Sequence, residues 1–388
     1  MRSEEASGSF RQSVILIPTL DCNAACDYCF ESKRPVSLPL EDVPRLADRL
    51  LDHMEATGAA EAQVYWQGGE VTLLGPDWFE RAHAAMSERA ARRGLSFRHE
   101  LQTNLLAWGP EWRQLVRTLF GNSLGTSMDH PNRHRRTRGG STAAYDALWR
   151  RHVRQALDDG VQVGVIAVAH AATVELGAAP FYEFFVDEVG LRDVQLNTPF
   201  PGGPARALWP GAPVEVEPLA RFEVELMDVW MERGRGRGVR LAPFDALVDR
   251  FRGRSATLPC IWQECCADEF LAVDPEGGVA LCDCWVASYP EQSFGNLFAR
   301  PLTALLAESP VRRRFLQRPE AIVADHGCAA CRHLRTCHGG CPVRTHAALG
   351  TPLARDPFCA LYLALFDRAE WHAREEARRE LTGWTARS

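Results

Sequence analysis

The sequence predicts an α/β fold: six strand-then-helix units forming a parallel sheet with helices outside, barrel-like or doubly wound, followed by a small α+β tail. Three observations predict it. Apolar runs of strand length alternate with segments of helical spacing as far as residue 233. Polar and glycine-containing motifs follow five of the six strands at their C-terminal ends, the face where such folds gather their chemistry. The 13 cysteines cluster, with none between Cys29 and Cys260, as expected of a catalytic head and a separate metal-binding tail.

The first strand is the buried run 13–19 (SVILIPT), and the loop after it carries Cys22, Cys26 and Cys29. Residues 40–56 have helical spacing, with Val43, Leu46, Leu50, Leu51 and Met54 on one side. Strand 63–67 ends at Gly68 and Gly69, and Pro76 opens a helix reaching about residue 92. Strands at 97–102, 123–127, 161–168 and 194–198 alternate with helices from Pro110, over 142–158, around 181–189 and over 214–233. Residues 199–218, rich in proline and glycine, read as a long loop over the active site. From Cys260 the pattern turns to short strands and turns, with 270–273 and 279–281 as a small hairpin. Residues 361–381 read as a charged amphipathic helix capping the surface.

Composition narrows the class. Of 388 residues 46% are hydrophobic and 24% charged, enough for sizeable cores, and the net charge of -6 gives no reason to expect nucleic acid. The densest basic run, RHRRTR at 133–138, reads as a solvated loop, with guidance of an acidic peptide or a cofactor carboxylate as the alternative. No signal or membrane-spanning segment is visible, so the expected compartment is the cytoplasm and no membrane partner is implied. Thiols stay reduced there, and metal is the stronger explanation for so many cysteines.

Three thiolates can hold three irons of a cubane 4Fe-4S cluster and leave the fourth iron open for a cosubstrate. Zinc is the bland alternative, but Cys-x3-Cys-x2-Cys lacks paired knuckles and the loop has no histidine. The stretch CNAACDYCF, residues 22–30, resembles the signature of the radical S-adenosylmethionine superfamily. That resemblance implies a partial (β/α)6 TIM-like barrel over 12–235 and reductive cleavage of S-adenosylmethionine to a 5'-deoxyadenosyl radical. Gly68, Gly69 and Glu70 match the superfamily's glycine-glycine-glutamate motif: glycine permits close backbone approach and the carboxylate pairs with the methionine ammonium. Tyr28 borders the adenine or serves as core. Gln102, Asn104, Ser127 and Asp129 resemble strand-end motifs of the anaerobic sulfatase maturases, which implies cosubstrate contacts or cavity shaping; for Asp129 a loop cap is the alternative.

In the tail, Cys328-x2-Cys331-x5-Cys337-x3-Cys341 is followed by Cys359, and Cys266 stands upstream of Gly277 and Cys282. This resembles the seven-cysteine signature of the SPASM domain, placed at 260–360 after a linker at 236–259 and before a C-terminal helix at 361–388. The resemblance implies one auxiliary 4Fe-4S cluster on Cys260, Cys266, Cys282 and Cys341 and another on Cys328, Cys331, Cys337 and Cys359. Cys265 competes with Cys266, and Cys284 is spare or an alternate ligand. A two-zinc tail is the alternative.

The cofactors implied are therefore S-adenosylmethionine and three 4Fe-4S clusters. The partners implied are a ribosomally made precursor peptide or protein substrate and a reducing donor such as ferredoxin or flavodoxin. Asp245 is similar in placement to an acidic residue proposed as the substrate base in sulfatase maturases, with a helix cap or salt bridge as the alternative. The family's MDGP reads Met128-Asp129-His130-Pro131 here, and Leu105 replaces a glycine. Few residues precede the first strand, which leaves no room for a separate leader-binding domain. These departures favour a peptide-crosslinking maturase over formylglycine synthesis, with a non-catalytic redox module as the reading outside enzymology.

Overall fold

In the computed structural model, which describes residues 11–198 and 215–385, the predicted alternation folds into an open arc of parallel strands. Strand β1 (Arg11–Leu16) pairs with β2 (Glu61–Trp66), and β2 with β3 (Ser96–Leu101). A bridge between Gln102 and Gly125 leads on to β4 (Ser123–Ser127), β5 (Gln162–Val168), β6 (Asp193–Asn197) and β7 (Arg240–Ala242). Helices α1 (Val43–Thr57), α2 (Pro76–Arg92), α3 (Pro110–Leu119) and α4 (Thr142–Asp158) return the chain between strands. After β5 the return is made by α5 (Ala171–Leu176), α6 (Ala178–Tyr182) and a π-helical turn, Glu183–Glu188; after β6 it is made by α7 (Val216–Arg233). The helix expected around 181–189 thus begins earlier, broken where Gly177 adopts φ +92°.

Local chemistry explains these boundaries. Pro44 lies in the first turn of α1, where its missing N–H costs nothing, and Gly58 ends the helix at φ 74°. Ser141 caps α4 by accepting from Ala144 N at 3.0 Å. Alternate strand residues face opposite sides. Val14, Leu16, Val64, Trp66 and Leu101 join the main core under the helices. Ile15, Ile17 and Ala272, with Tyr65 and Phe270, form a separate apolar cluster on the inner face.

The tail departs from expectation in three ways. The hairpin of β8 (Phe270–Val273) and β9 (Gly278–Ala280) does form, but β8 pairs in parallel with β1, so the tail extends the barrel sheet. Beyond it, apart from the short β10 (Gly295–Asn296), the tail is mostly helix rather than strand. It comprises α9 (Asp283–Ser288), α10 (Leu302–Glu308), α11 (Pro310–Leu316), α12 (Arg318–Ala324), α13 (His326–Ala329), α14 (Leu334–Cys337) and α15 (Pro342–Leu349). The last helix, α16 (Cys359–Thr385), is more than a surface cap: Leu361, Tyr362, Leu365, Phe366, Ala369 and Ala373 are buried against α7 and α8 (Phe244–Phe251). The segment read as a linker holds β7 and α8, both packed. The loop expected over the active site lies almost wholly outside the described residues.

Candidate active site

The loop after β1 holds Cys22 buried and Cys26 and Cys29 half-buried. It is clamped by the basic run 133–138, whose backbone docks on it while Arg133 and Arg138 stay exposed. Ala25 N donates to Arg136 O at 2.8 Å, Asp27 N to His134 O at 2.9 Å, and Arg138 N to Asn23 O at 2.8 Å. Arg136 grips both Asp27 oxygens at 2.9 and 3.0 Å, Arg138 Nε donates to Cys22 O at 3.0 Å, and Lys33 Nζ donates to Ala24 O at 2.7 Å. Burial pushes the Cys22 thiol up to about 12 and Cys29 to about 11, with Lys33 opposing. Thiols this reluctant to ionise become thiolates when a metal cation supplies the missing charge.

The strand ends are stitched to this loop. Gly69 N donates to Thr19 O at 3.0 Å and Glu70 N to Asp21 O at 2.7 Å. A Cβ on Gly69 would stand 2.2 Å from Asp21 O, and one on Gly68 2.7 Å from Thr19 O, so both glycines are needed for this docking. The Glu70 carboxylate, 2% exposed, accepts from Thr72 Oγ1 (2.6 Å), Thr72 N (3.1 Å), Thr103 Oγ1 (2.7 Å) and Asn104 N (2.7 Å). Burial raises its pKa against the pull of those donors. Its side chain is thereby fixed at the strand ends beside the cysteine loop. Asn104 Nδ2 reaches Asn23 Oδ1 at 2.6 Å, and Gln102 Nε2 reaches Ser127 Oγ at 3.0 Å over Gly125.

Asp129 is fully buried and held by several partners. It accepts from Val168 N at 3.0 Å and from the Tyr28 hydroxyl, and pairs with Arg135 Nε at 3.1 Å. The Arg135 guanidinium lies over the Tyr28 ring, 5.4 Å from its centroid. Tyr28 thereby ties the cysteine loop to β4 and β5, and burial raises its hydroxyl pKa.

The tail thiols gather in two sets. The Cys266 thiol is pushed up by burial and then by Cys260, Cys282 and Cys341 beside it, whereas Cys265 feels Asp268 and Arg312 instead. Cys337 feels Cys359 and Cys328, and Cys359 feels Cys331. Cys328, Cys331, Cys337 and Cys359 together line one cavity. Thiolates sharing a tetrahedral zinc would stand about 3.8 Å apart, given Zn–S of about 2.3 Å. Among the described residues the one compact donor group containing cysteine is Cys282, Asp283 and Cys284, within 4.8 Å of one another. Four thiolates apiece is the number of ligands a closed cubane takes. Gln67 Nε2 donates to Asp283 Oδ2 at 2.7 Å, so the inner set abuts the end of β2.

No family model matches the chain. A serine-type anaerobic sulfatase-maturating enzyme of Klebsiella aerogenes is 27% identical over 337 residues, covering 84% of this chain and 78% of the relative. A cysteine-type counterpart from Clostridium perfringens is 23% identical over 362 residues, covering 90% and 93%. The chain is thus homologous to anaerobic sulfatase-maturating enzymes, which matches its resemblance to the radical S-adenosylmethionine enzymes with a SPASM tail. The solved structure of anSMEcpe with bound AdoMet and the Cp18Cys peptide shares the fold, with a TM-score of 0.79 at 21% identity, covering 95% of this chain and 99% of that one.

In this radical S-adenosylmethionine enzyme Asp245 lies in the first turn of α8, directly after β7. The register row Gln102, Gly125, Gly164, Asp193, Arg240 crosses the strands, and Asp245 Oδ2 lies 3.5 Å from Arg240 Nε. Asp245 Oδ1 is buried and has no hydrogen-bond partner among the described residues. The residues that sequence reasoning missed are Arg135, Arg136 and Arg138. Their one advance signal was the density of the run, which suits clamping a loop of thiolates as well as it suits solvent.

Proposed function

We propose that this enzyme is an anaerobic sulfatase maturase that oxidises a Ser or Cys side chain of a peptide or protein to formylglycine. The observation carrying this reading is the match to sulfatase-maturating enzymes over most of both chains. It displaces the crosslinking activity favoured by the motif departures, because Leu105 and His130 alter no bond of the clamp described above.

Cys22, Cys26 and Cys29 hold the open cluster, Cys260, Cys266, Cys282 and Cys341 the inner auxiliary cluster, and Cys328, Cys331, Cys337 and Cys359 the outer one. When bound, the open cluster and S-adenosylmethionine supply a 5'-deoxyadenosyl radical able to take hydrogen from an unactivated carbon. The chain's own residues bind, orient and exclude water. Gly68 and Gly69 seat the strand end against the cysteine loop, Gln102, Asn104 and Ser127 shape the rim, and Arg135 with Asp129 and Tyr28 closes the floor. The Asp245 carboxylate takes the proton of the substrate hydroxyl or thiol, with Arg240 beside its Oδ2.

The test is anaerobic turnover of the reduced, reconstituted enzyme with Ser- and Cys-containing sulfatase peptides. The reading expects 5'-deoxyadenosine together with an aldehyde trapped by a hydrazine reagent. Loss of two hydrogens from a precursor peptide without an aldehyde would restore the crosslinking reading.

A further inference from the structure

Arg318, at the start of α12, is only 6% exposed. Its guanidinium makes four hydrogen bonds, all to backbone carbonyls: Ala354 O at 2.8 Å, Gly339 O at 2.8 Å, Gly340 O at 3.1 Å, and Pro352 O. Among the described residues it makes no ion pair with a carboxylate. The acid nearest in influence, Asp356, already accepts from Cys341 N at 2.7 Å and Tyr362 Oη at 2.8 Å, and pairs with Arg344 Nε at 3.3 Å. A guanidinium stays charged in proteins, and burying it without a counter-charge is costly.

The surrounding backbone is built around that cation. Gly339 and Gly340 lie in the three-residue spacer between Cys337 of the outer set and Cys341 of the inner set. All three spacer residues adopt left-handed backbone, with φ 49° at His338, 84° at Gly339 and 76° at Gly340. A Cβ on Gly339 would meet Ile322 at 2.5 Å, and one on Gly340 would meet Asp356 at 2.5 Å. The chain that joins the two thiol sets is thus wound tightly and turns two successive carbonyls onto Arg318. The same arginine lines the cavity beside Cys260 and Cys266, and Cys341, Cys266 and Cys337 all act on it electrostatically.

We infer that Arg318 is the shared counter-charge of the two auxiliary clusters, a positioning residue whose fixed positive charge between the thiol sets raises both reduction potentials. This rests on the three-cluster reading above. A cubane with four thiolates is already anionic and gains one negative charge on reduction, so a nearby cation favours the reduced form.

The experiment is an EPR-monitored redox titration, with iron analysis, of the full reconstituted chain as wild type, R318Q and R318K. Glutamine keeps donors for the carbonyls and removes the charge; lysine keeps the charge. The expected result is at least a tenfold shift toward the oxidised form in R318Q for both auxiliary clusters, 59 mV for one electron. R318K should stay near wild type, and the Cys22, Cys26, Cys29 cluster should be unmoved in both. Unshifted auxiliary potentials in R318Q, or equal shifts in R318Q and R318K, would overturn the inference. Should R318Q fail to load its auxiliary iron, full loading in R318K supports the charge role, and equal failure of both variants refutes it. Wild-type protein holding iron for the open cluster alone would instead sink the three-cluster reading itself.

Discussion

Gly69→Ala places a methyl group at the point where the barrel meets its cysteine loop. The added Cβ would lie 2.2 Å from the Asp21 carbonyl oxygen and 2.8 Å from the Leu20 and Asp21 carbonyl carbons. All three are backbone atoms, so no side-chain rotation can relieve the overlap. Restoring ordinary contact requires the 20–21 segment to retreat by roughly 1 Å, which also breaks the 2.7 Å bond from Glu70 N to Asp21 O. The lost bond costs about 1 kcal/mol. The larger effect is positional, because Cys22 is the next residue, and a displacement of about 1 Å in a reacting constellation lowers rate by roughly 100-fold. The assay is 5'-deoxyadenosine release by reduced enzyme of matched iron content, with Gly109→Ala as control, since nothing lies within 4 Å of a Cβ there. Wild-type release by Gly69→Ala would refute the argument that docking of the glycine turn sets the cysteine loop.

Asp129→Asn leaves the buried Arg135 without its carboxylate, which should destabilise the protein by about 3 to 5 kcal/mol, read as a lowered denaturation midpoint; an unchanged midpoint would contradict it. Glu223, buried on α7, has its carboxyl pushed up to about 8 from 4.5 by burial, with Arg344 opposing. Because the folded pKa is raised, its stabilising contribution is whole below about pH 4.5 and is lost as pH rises toward 8. Glu223→Gln should therefore become progressively more stable than wild type across that window, by about 5 kcal/mol in all; a pH-independent difference in midpoint would contradict it. Asp245→Asn should keep releasing 5'-deoxyadenosine while aldehyde formation falls about 100-fold or more, and undiminished product would remove Asp245 from the proton-transfer step.

The parts of this site set by local spacing were legible in the sequence. Three thiols on one loop, two glycines after the next strand and the Cys328 to Cys341 run all have short-range spacing. What could not be read depends on contacts between distant segments. The basic run at 133–138 looks solvated until it is seen to pair with residues 23–27, more than a hundred positions away. A carboxylate at a strand end carries no mark of its partners in sequence, and only the fold shows Arg135 beside Asp129 and Thr72, Thr103 and Asn104 around Glu70. The adjacent Cys265 and Cys266 are likewise indistinguishable in sequence, whereas the fold surrounds Cys266 alone with the inner thiols. The pairing of β8 with β1 joins positions 270–273 to 13–16, which no periodicity foretells.

The most direct test of the account is the EPR spectrum of the reduced, iron-loaded protein with and without S-adenosylmethionine, compared with a variant in which Cys22, Cys26 and Cys29 are alanine. The account predicts that the cosubstrate perturbs one cluster signal in the wild type and that this signal and its response both vanish in the variant, while the auxiliary signals remain. A wild-type spectrum indifferent to S-adenosylmethionine, or a response that survives loss of the three cysteines, would contradict it.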